Sequence, residues 1–393
     1  MSSLCALDDM HRKDNFATAH SQGLPQGFRV LIAAGASGGH LYPALSLAES
    51  LREKGHEANI AFVSSKRAGL ENLITGYRLF LISVLPFQRP YPQFLRALYG
   101  FLKSLVESFF IIEKFRPDVV IGFGSYVSFP LLLEAALLKK HTLIHEQNVS
   151  LGLANKALSY FADTIAVSFP QTRVVGPQCV FTGNPLRKSL VIEDKASARR
   201  FFNLSDKFTV LVLGGSQGSR RLNSEFRNVV ALLEKKEDFQ FIHITGKNDY
   251  FDLKKTYSYI TIKHCIFDFL AHMQWAYSAA DLVISRAGAG TISELAYFRK
   301  AAVLVPFPYA GSHQVENARY LQKENAAIVI EEKELKASTL YEHVLRLISA
   351  ADERKSLEEN IQKFAIVNAS EKLAQAVVSL AREACRCARG EGV

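Results

Sequence analysis

Cysteine is scarce in this chain, with five in 393 residues, at Cys5, Cys179, Cys265, Cys385 and Cys387. The odd count and irregular spacing exclude a disulfide framework. Cys385-Arg-Cys387 has no second Cys/His pair at zinc spacing beside it, so no metal site is expected. Long apolar runs are missing too. Even Phe129–Leu138 is interrupted by Pro130 and Glu134, and a bilayer-spanning helix needs about 18 or more such residues. Residues 1–27 are polar and lack the apolar centre of a secretory signal, so they read as a mobile extension. There is no run of consecutive Lys or Arg of the nucleic-acid arm type. No G-x-G-x-x-G fingerprint and no G-x-x-x-x-G-K-[ST] loop is evident, which weakens a nicotinamide or P-loop reading, and no Asp-x-Asp pair is evident for a metal-bridged diphosphate.

What is present points to two folded domains. The length exceeds what one core usually supports, and 48% hydrophobic residues give ample material for burial. The net charge of +9 is unevenly spread: residues 28–190 hold 17 Lys and Arg against 10 Asp and Glu, and residues 191–393 hold 28 against 25. Three partners fit a basic protein: nucleic acid, an anionic membrane surface, or a phosphorylated substrate.

Apolar runs fit for buried parallel strands occur at 28–34, 58–63, 119–122, 142–145 and 164–167, with helical patterns between them, the first over Pro43–Lys54 with Gly55 as its stop. The same grammar restarts with strands at 208–214, 239–245, 260–265, 282–285 and 302–306, and a helix over about 221–235. Two blocks of alternating strand and helix predict an α/β protein with two doubly wound, Rossmann-like domains facing across a cleft. The first domain is placed at 28–190 and the second at 191–380, with a tail at 381–393. A last helix, about Arg354–Arg382, has the length to return across the joint.

Three small-residue turns follow strands and precede helices, where backbone N–H groups approach an anion. They are Gly35-Ala-Ser-Gly-Gly-His40, Gly214-Gly-Ser-Gln-Gly218 and Ser285-Arg-Ala-Gly-Ala-Gly-Thr-Ile-Ser-Glu294. His40 at a helix start favours the neutral imidazole, which suits a general base; a capping histidine is the plain alternative. Arg286 could stand beside a diphosphate, and Glu294 could accept from a ribose diol. His313-Gln314-Val-Glu-Asn317 opens a further helix.

These motifs, with Tyr42-Pro43, Gly124-Ser-Tyr126-Val-Ser128, His145-Glu-Gln-Asn148 and Gly183-Asn-Pro-Leu-Arg187, resemble in combination the MurG family of N-acetylglucosaminyltransferases. The resemblance covers roughly residues 28–380. It implies a GT-B fold, glycosyltransferase family 28, and inverting transfer of GlcNAc from UDP-GlcNAc to the C4 hydroxyl of MurNAc in lipid I, giving lipid II. No cofactor or catalytic metal is implied. For the donor it implies Ser37, Gly38, Gly39, Asn148, Arg187, Ser216, Leu270 through its backbone, Ala289, Gly290, Thr291, Ile292, Ser293 and Glu294, with Gln314 and Asn317 near the sugar. Tyr126 and Asn155 match acceptor positions. His40 is the expected base, with Glu146 or His145 as alternatives. Departures are small: Ala36-Ser37 where the family commonly has Gly-Thr, and Arg299-Lys-Ala301 where it has Gly-x-Pro.

A peripheral enzyme on the cytoplasmic side of the inner membrane follows from the resemblance, with lipid I and the anionic surface met by the first domain and no nucleic-acid partner. Phe94 to Phe110 forms an amphipathic pattern with Phe94, Leu95, Leu98, Phe101, Leu102, Leu105, Val106, Phe109 and Phe110 on one stripe. Either the stripe faces the core, or its start meets the bilayer with Arg89, Arg96 and Lys103. The apolar Leu79–Phe87 could add to such a patch or be a strand. A Rossmann oxidoreductase, a non-catalytic interaction protein and a glycosyltransferase with another lipid acceptor are the competing readings.

Overall fold

The computed structural model describes residues 27–35, 37–53, 59–66, 73–84, 93–176, 178–233, 239–308 and 313–388. The expected extension, Arg89, the Gly55 helix stop, the end of the Leu79–Phe87 run and the side chains of Phe94 and Leu95 lie outside that description.

The chain forms two compact units: residues 1–187 with 368–393, and residues 188–367. In the first, seven parallel strands pair in the order β3-β2-β1-β4-β5-β6-β7. They are β1 (Arg29–Ala33), β2 (Asn59–Ser65), β3 (Arg78–Ile82), β4 (Val119–Gly122), β5 (His141–Glu146), β6 (Thr164–Val167) and β7 (Gln178–Phe181). Side chains alternate between faces. Val30, Ile32, Phe62, Ile121 and Leu143 pack with helix α1 (Gly38–Glu53) and with α13 (Ala369–Ala388). Leu31, Ala33, Val63, Val120 and Ile144 face the other way, onto α2 (Gln93–Phe115) and α3 (Ser125–Leu137). Both faces are covered, which is why these strands read as nearly unbroken apolar runs.

The second unit repeats the pattern with six parallel strands in the order β10-β9-β8-β11-β12-β13. They are β8 (Phe208–Leu213), β9 (Phe239–Ile244), β10 (His264–Phe267), β11 (Leu282–Ser285), β12 (Ala301–Leu304) and β13 (Ile328–Val329). Val210, Val212, Phe241 and Ile284 pack against Phe226 of α6 (Arg220–Leu233), Tyr257 of α7 (Tyr250–Tyr257) and Val344 of α11 (Ala337–Ser349). In each sheet the chain winds outward from the first strand, then crosses to its other side. The loops after β1 and β4, and those after β8 and β11, are therefore neighbours: Ala33 pairs with Gly122 and Leu213 with Ser285. Such switch points are where doubly wound sheets bind ligands.

The last helix of the sequence reading is two helices, α12 (Ala351–Gln362) and α13. Asn368 accepts the first helical bond, from Lys372 N at 2.9 Å, and is an N-cap residue type. The α13 side chains Leu373, Val377 and Ala381 complete the core of the first unit, so residues 368–380, divided by sequence into the second domain, belong with the first. Helix α1 starts at Gly38 rather than Pro43, because Ser37 O accepts from Leu41 N at 3.0 Å.

Helix α2 corrects the core-facing reading of its apolar stripe. Its buried positions are Ala97, Gly100, Ser104, Ser108, Ile112 and Phe115, small along most of the helix and large only in its last turn, with Phe101 and Leu105 half-buried. Leu98, Tyr99, Leu102, Val106, Phe109 and Phe110 are exposed, Tyr99 at 70% and Phe110 at 64%. Among the described residues no helix is long and apolar enough to cross a membrane.

Candidate active site

In the first unit the sequence-predicted residues gather where β1, β4 and β5 end. Gly38, Gly39 and His40 are the first turn of α1; His40 N–H donates to Ser37 O at 3.0 Å, and those of Gly38 and Gly39 come before the first intrahelical bond. Gly35 is required by close approach: a Cβ there would lie 2.7 Å from Ser125 Cβ. Gly124 has φ +78°, and a Cβ on it would meet His40 Cε1 at 3.3 Å. Small residues on both loops thus make room for the imidazole.

His40 Nδ1 lies 2.7 Å from Phe123 O. A carbonyl only accepts, so Nδ1 carries the hydrogen and Nε2 is the basic nitrogen. Phe123 O also accepts from Gln147 Nε2 at 3.1 Å. The same amide donates to His145 Nδ1 at 3.1 Å, while His145 Nε2 donates to Gly183 O at 3.2 Å. His145 is fully buried, and desolvation first of all depresses its pKa to about 4. It is a neutral strut between β5 and the Gly183 turn.

Glu146 is equally enclosed. Its Oε1 accepts from Asn148 N at 2.9 Å and Asn148 Nδ2 at 3.0 Å. Its Oε2 accepts from Gly152 N at 2.9 Å and Asn155 Nδ2 at 2.8 Å. About four acceptor positions exist on a carboxylate, and all are used to shape residues 147–155. Of the three candidate bases, then, His145 and Glu146 are built into the scaffold. Asn155 is buried against Glu146. Tyr126 is the second residue of α3, and the Arg187 guanidinium stacks 4.3 Å over the Tyr42 ring of α1.

In the second unit the predicted residues gather where β8, β10, β11 and β12 end. Gly215 and Gly218 take φ of +81° and +74°, and a Cβ on Gly218 would sit 2.2 Å from Thr245 O. This turn exposes Ser216 ahead of α6. Helix α9 (Ala289–Tyr297) opens with Ala289, Gly290 and Thr291 and presents unpaired first-turn amides. Ile292 is in the core, and Ser293 Oγ bonds back to Ala289 O at 3.0 Å. Leu270 is buried just after β10. Gln314, on α10 (His313–Lys323), accepts from Phe307 N at 3.0 Å. Asn317 is fully buried, and its Nδ2 donates to Ala287 O at 3.2 Å, which ties α10 to the turn after β11.

Arg286 differs from the expectation of a cation presented to a diphosphate. Its guanidinium is buried, donates to Ser219 Oγ from Nε at 3.0 Å and from Nη2 at 2.6 Å, and reaches Val305 O at 3.1 Å. It also pairs with Glu332. One side chain thereby ties the turn before α6, the turn after β12 and residue 332 together. Sequence reasoning named none of Ser219, Tyr277 and Glu332, and it gave Gln147, within the His145–Asn148 motif, no role of its own. Tyr277, on α8 (Met273–Ala279), donates to Glu294 Oε2 at 2.8 Å.

Residues 30–167 match the glycosyltransferase family 28 N-terminal domain, and residues 209–377 match its C-terminal domain. The UDP-N-acetylglucosamine--N-acetylmuramyl-(pentapeptide) pyrophosphoryl-undecaprenol N-acetylglucosamine transferase of Thermodesulfovibrio yellowstonii is 39% identical over 363 residues, 90% of this chain and 99% of its own. The transferase of the same name from Myxococcus xanthus is 35% identical over 360 residues, 90% of this chain and 93% of its own. Among solved structures, Acinetobacter baumannii MurG superposes with a TM-score of 0.71 at 28% identity, covering 91% of this chain and all of that one. A putative UDP-N-acetylglucosamine 2-epimerase from Listeria monocytogenes, at 13% identity and a TM-score of 0.69 over 91% of this chain and 97% of its own, shares the fold. On the two matched domains and this identity across nearly its whole length, the chain belongs to glycosyltransferase family 28 and, within it, to the MurG family of N-acetylglucosamine transferases.

Proposed function

We propose that this chain transfers GlcNAc from UDP-GlcNAc to the C4 hydroxyl of MurNAc in lipid I, with inversion, to give lipid II. The relatives' names support the donor and the acceptor. The observation that carries the chemistry is the His40–Phe123 bond, which leaves Nε2 as the proton acceptor at a helix N-terminus. Nε2 removes the proton from the acceptor hydroxyl as its oxygen attacks the anomeric carbon. UDP departs from the opposite face, turning an α-linked donor into a β-linked product. Charge develops on the leaving diphosphate, and the first-turn amides of α9 with the Ser216 turn stabilise it. Glu294 accepts from the ribose hydroxyls, and Gln314 reads the sugar. Arg286 serves the diphosphate by holding the Ser219 turn in place.

The first unit also meets the membrane, by our reading, as a peripheral protein on the cytoplasmic face. At about 100° per residue, Leu98, Phe109, Leu102, Val106, Tyr99 and Phe110 follow one another across a single exposed arc of α2. Lys103, Arg96 and Lys114 border that arc, with Glu113 within it at the far end. An apolar arc edged by basic side chains suits an interfacial helix on anionic lipid. The α2 face that packs inward is mostly small, at Ala97, Gly100, Ser104 and Ser108, and only its last turn adds the large Ile112 and Phe115.

The deciding experiment is incubation with labelled UDP-GlcNAc and a panel of lipid acceptors, followed by assignment of the anomeric configuration by NMR. Transfer to a lipid I analogue with a β-linkage is expected. Transfer only to a different lipid would assign the chain another acceptor, and an α-linked product would end the single-displacement mechanism.

A further inference from the structure

Tyr277 lies outside the motifs that mark this family in the sequence, yet its position is unusual for a core tyrosine. The ring is fully buried and stacks on Phe298 at 5.1 Å and 24°. Phe298 is the C-cap of α9, so the stack fixes the ring against the helix that carries Glu294. A buried phenol needs a hydrogen-bond partner. Here the partner is Glu294 Oε2, 2.8 Å away. The bond links α8, which precedes β11, to α9, which follows it.

A glutamate two turns into a helix ordinarily samples many rotamers, and ordering it on ligand binding costs free energy. A hydroxyl donor anchored in the core removes much of that freedom beforehand. The carboxylate has about four acceptor positions, so it can hold the phenol and still accept from two vicinal hydroxyls. Loss of either sugar hydroxyl would then leave a pre-set acceptor without its donor, which is how polar sites discriminate strongly.

We propose that Tyr277 is a specificity-determining positioning residue: its hydroxyl holds the Glu294 carboxylate in the orientation that accepts both ribose hydroxyls, and so sets the preference for a ribonucleotide donor over its 2′-deoxy counterpart. The inference rests on Glu294 being the ribose carboxylate, and the test separates the two.

The full chain is compared with Tyr277→Phe, Glu294→Ala and the double variant, using UDP-GlcNAc and its 2′-deoxyribose analogue as donors. Phenylalanine keeps the stack on Phe298, and a thermal melt checks the fold. Tyr277→Phe is expected to raise KM for UDP-GlcNAc about five- to tenfold with kcat within about twofold, the size of a lost hydrogen bond to a charged group. KM for the deoxy donor rises less, so the preference between donors shrinks. The double variant discriminates no less than Glu294→Ala alone. If Glu294→Ala loses the preference and Tyr277→Phe keeps it, Tyr277 is not the positioning group and the assignment of Glu294 stands. If Glu294→Ala keeps the preference, the ribose assignment fails and the inference falls with it. Further loss in the double variant would show that Tyr277 acts independently of Glu294, which also overturns the proposal.

Discussion

The carbonyl oxygen of Phe123 lies 2.7 Å from Nδ1 of His40, and this contact decides which imidazole nitrogen is basic. Replacing His40 with alanine should lower kcat by about 10²–10⁴-fold, the range for loss of a positioned general base. UDP-GlcNAc binding, measured by calorimetry, should change little, because the donor contacts proposed for the second unit are untouched. Near-normal turnover in that variant would remove His40 as base.

The Arg286–Glu332 pair makes a second prediction. Glu332→Ala leaves a buried guanidinium short of its counter-charge, and should destabilise the protein by about 2 kcal/mol. Urea denaturation followed by the fluorescence of Trp275, the chain's one tryptophan and a residue of α8, reads this out. Replacing both partners, as Arg286→Met with Glu332→Leu, should recover most of that stability while donor affinity stays reduced, since Ser219 is no longer held. Full recovery of affinity would make the pair a packing feature only.

Acid sensitivity follows from two buried histidines. Desolvation depresses His145 to about 4 and His243 to about 3, both below the unfolded value of about 6.5. Between pH 6.5 and 4 the unfolded chain binds more protons than the folded one. Stability is therefore full above about pH 6.5 and falls on acidification, by up to about 1.4 kcal/mol per pH unit for each histidine. His243 receives the Tyr257 hydroxyl at Nδ1 and donates from Nε2 to Asn223 Oδ1, at 2.9 and 3.1 Å. Denaturation at a series of pH values should show a shallower slope for His243→Gln. An unchanged slope would assign the acid sensitivity elsewhere.

The α2 arc predicts a separation of binding from folding. Leu102→Glu with Phe110→Glu should lower partition onto anionic liposomes by tenfold or more. The melting temperature should hold, because both side chains are exposed. Turnover of a short-chain, water-soluble acceptor should be unaffected. Binding of the parent chain should rise with anionic lipid and fall with salt. Indifference of the parent chain to both would sink the electrostatic part, and unaltered partition of the double variant would move the contact off α2.

Much of the fold is legible because buried parallel strands leave continuous apolar runs, as at Val30–Ala33 and Thr209–Leu213. Edge strands leave weaker ones. Strand β7 is only half-buried and was passed over, and β10 sits four residues beyond the expected start, because Ile262 packs into the core from the preceding loop. Glycines concealed the first turn of α1, since poor helix formers occupy it. The Phe364–Asn368 break was concealed by a helical pattern that runs through it. In the site, loop glycines and His40 stand out by residue type. Gln147, Ser219, Tyr277 and Glu332 do not, because each acts through a partner distant in sequence, Glu332 46 residues from Arg286. For Arg286 the residue type, and for Asn155 and Asn317 the resemblance, pointed to ligand contact; what each one holds inside the protein is seen only in its hydrogen bonds.

The packing of α13 on α1 has a consequence for synthesis. The first unit is assembled from the two ends of the chain, with the second unit inserted between them. During translation the second unit has all its residues available before the first does. The face of the first sheet on which both helices pack is covered by α1 alone until α13 has been made. A stop codon that removes α13 therefore damages the unit whose strands lie at residues 29–181.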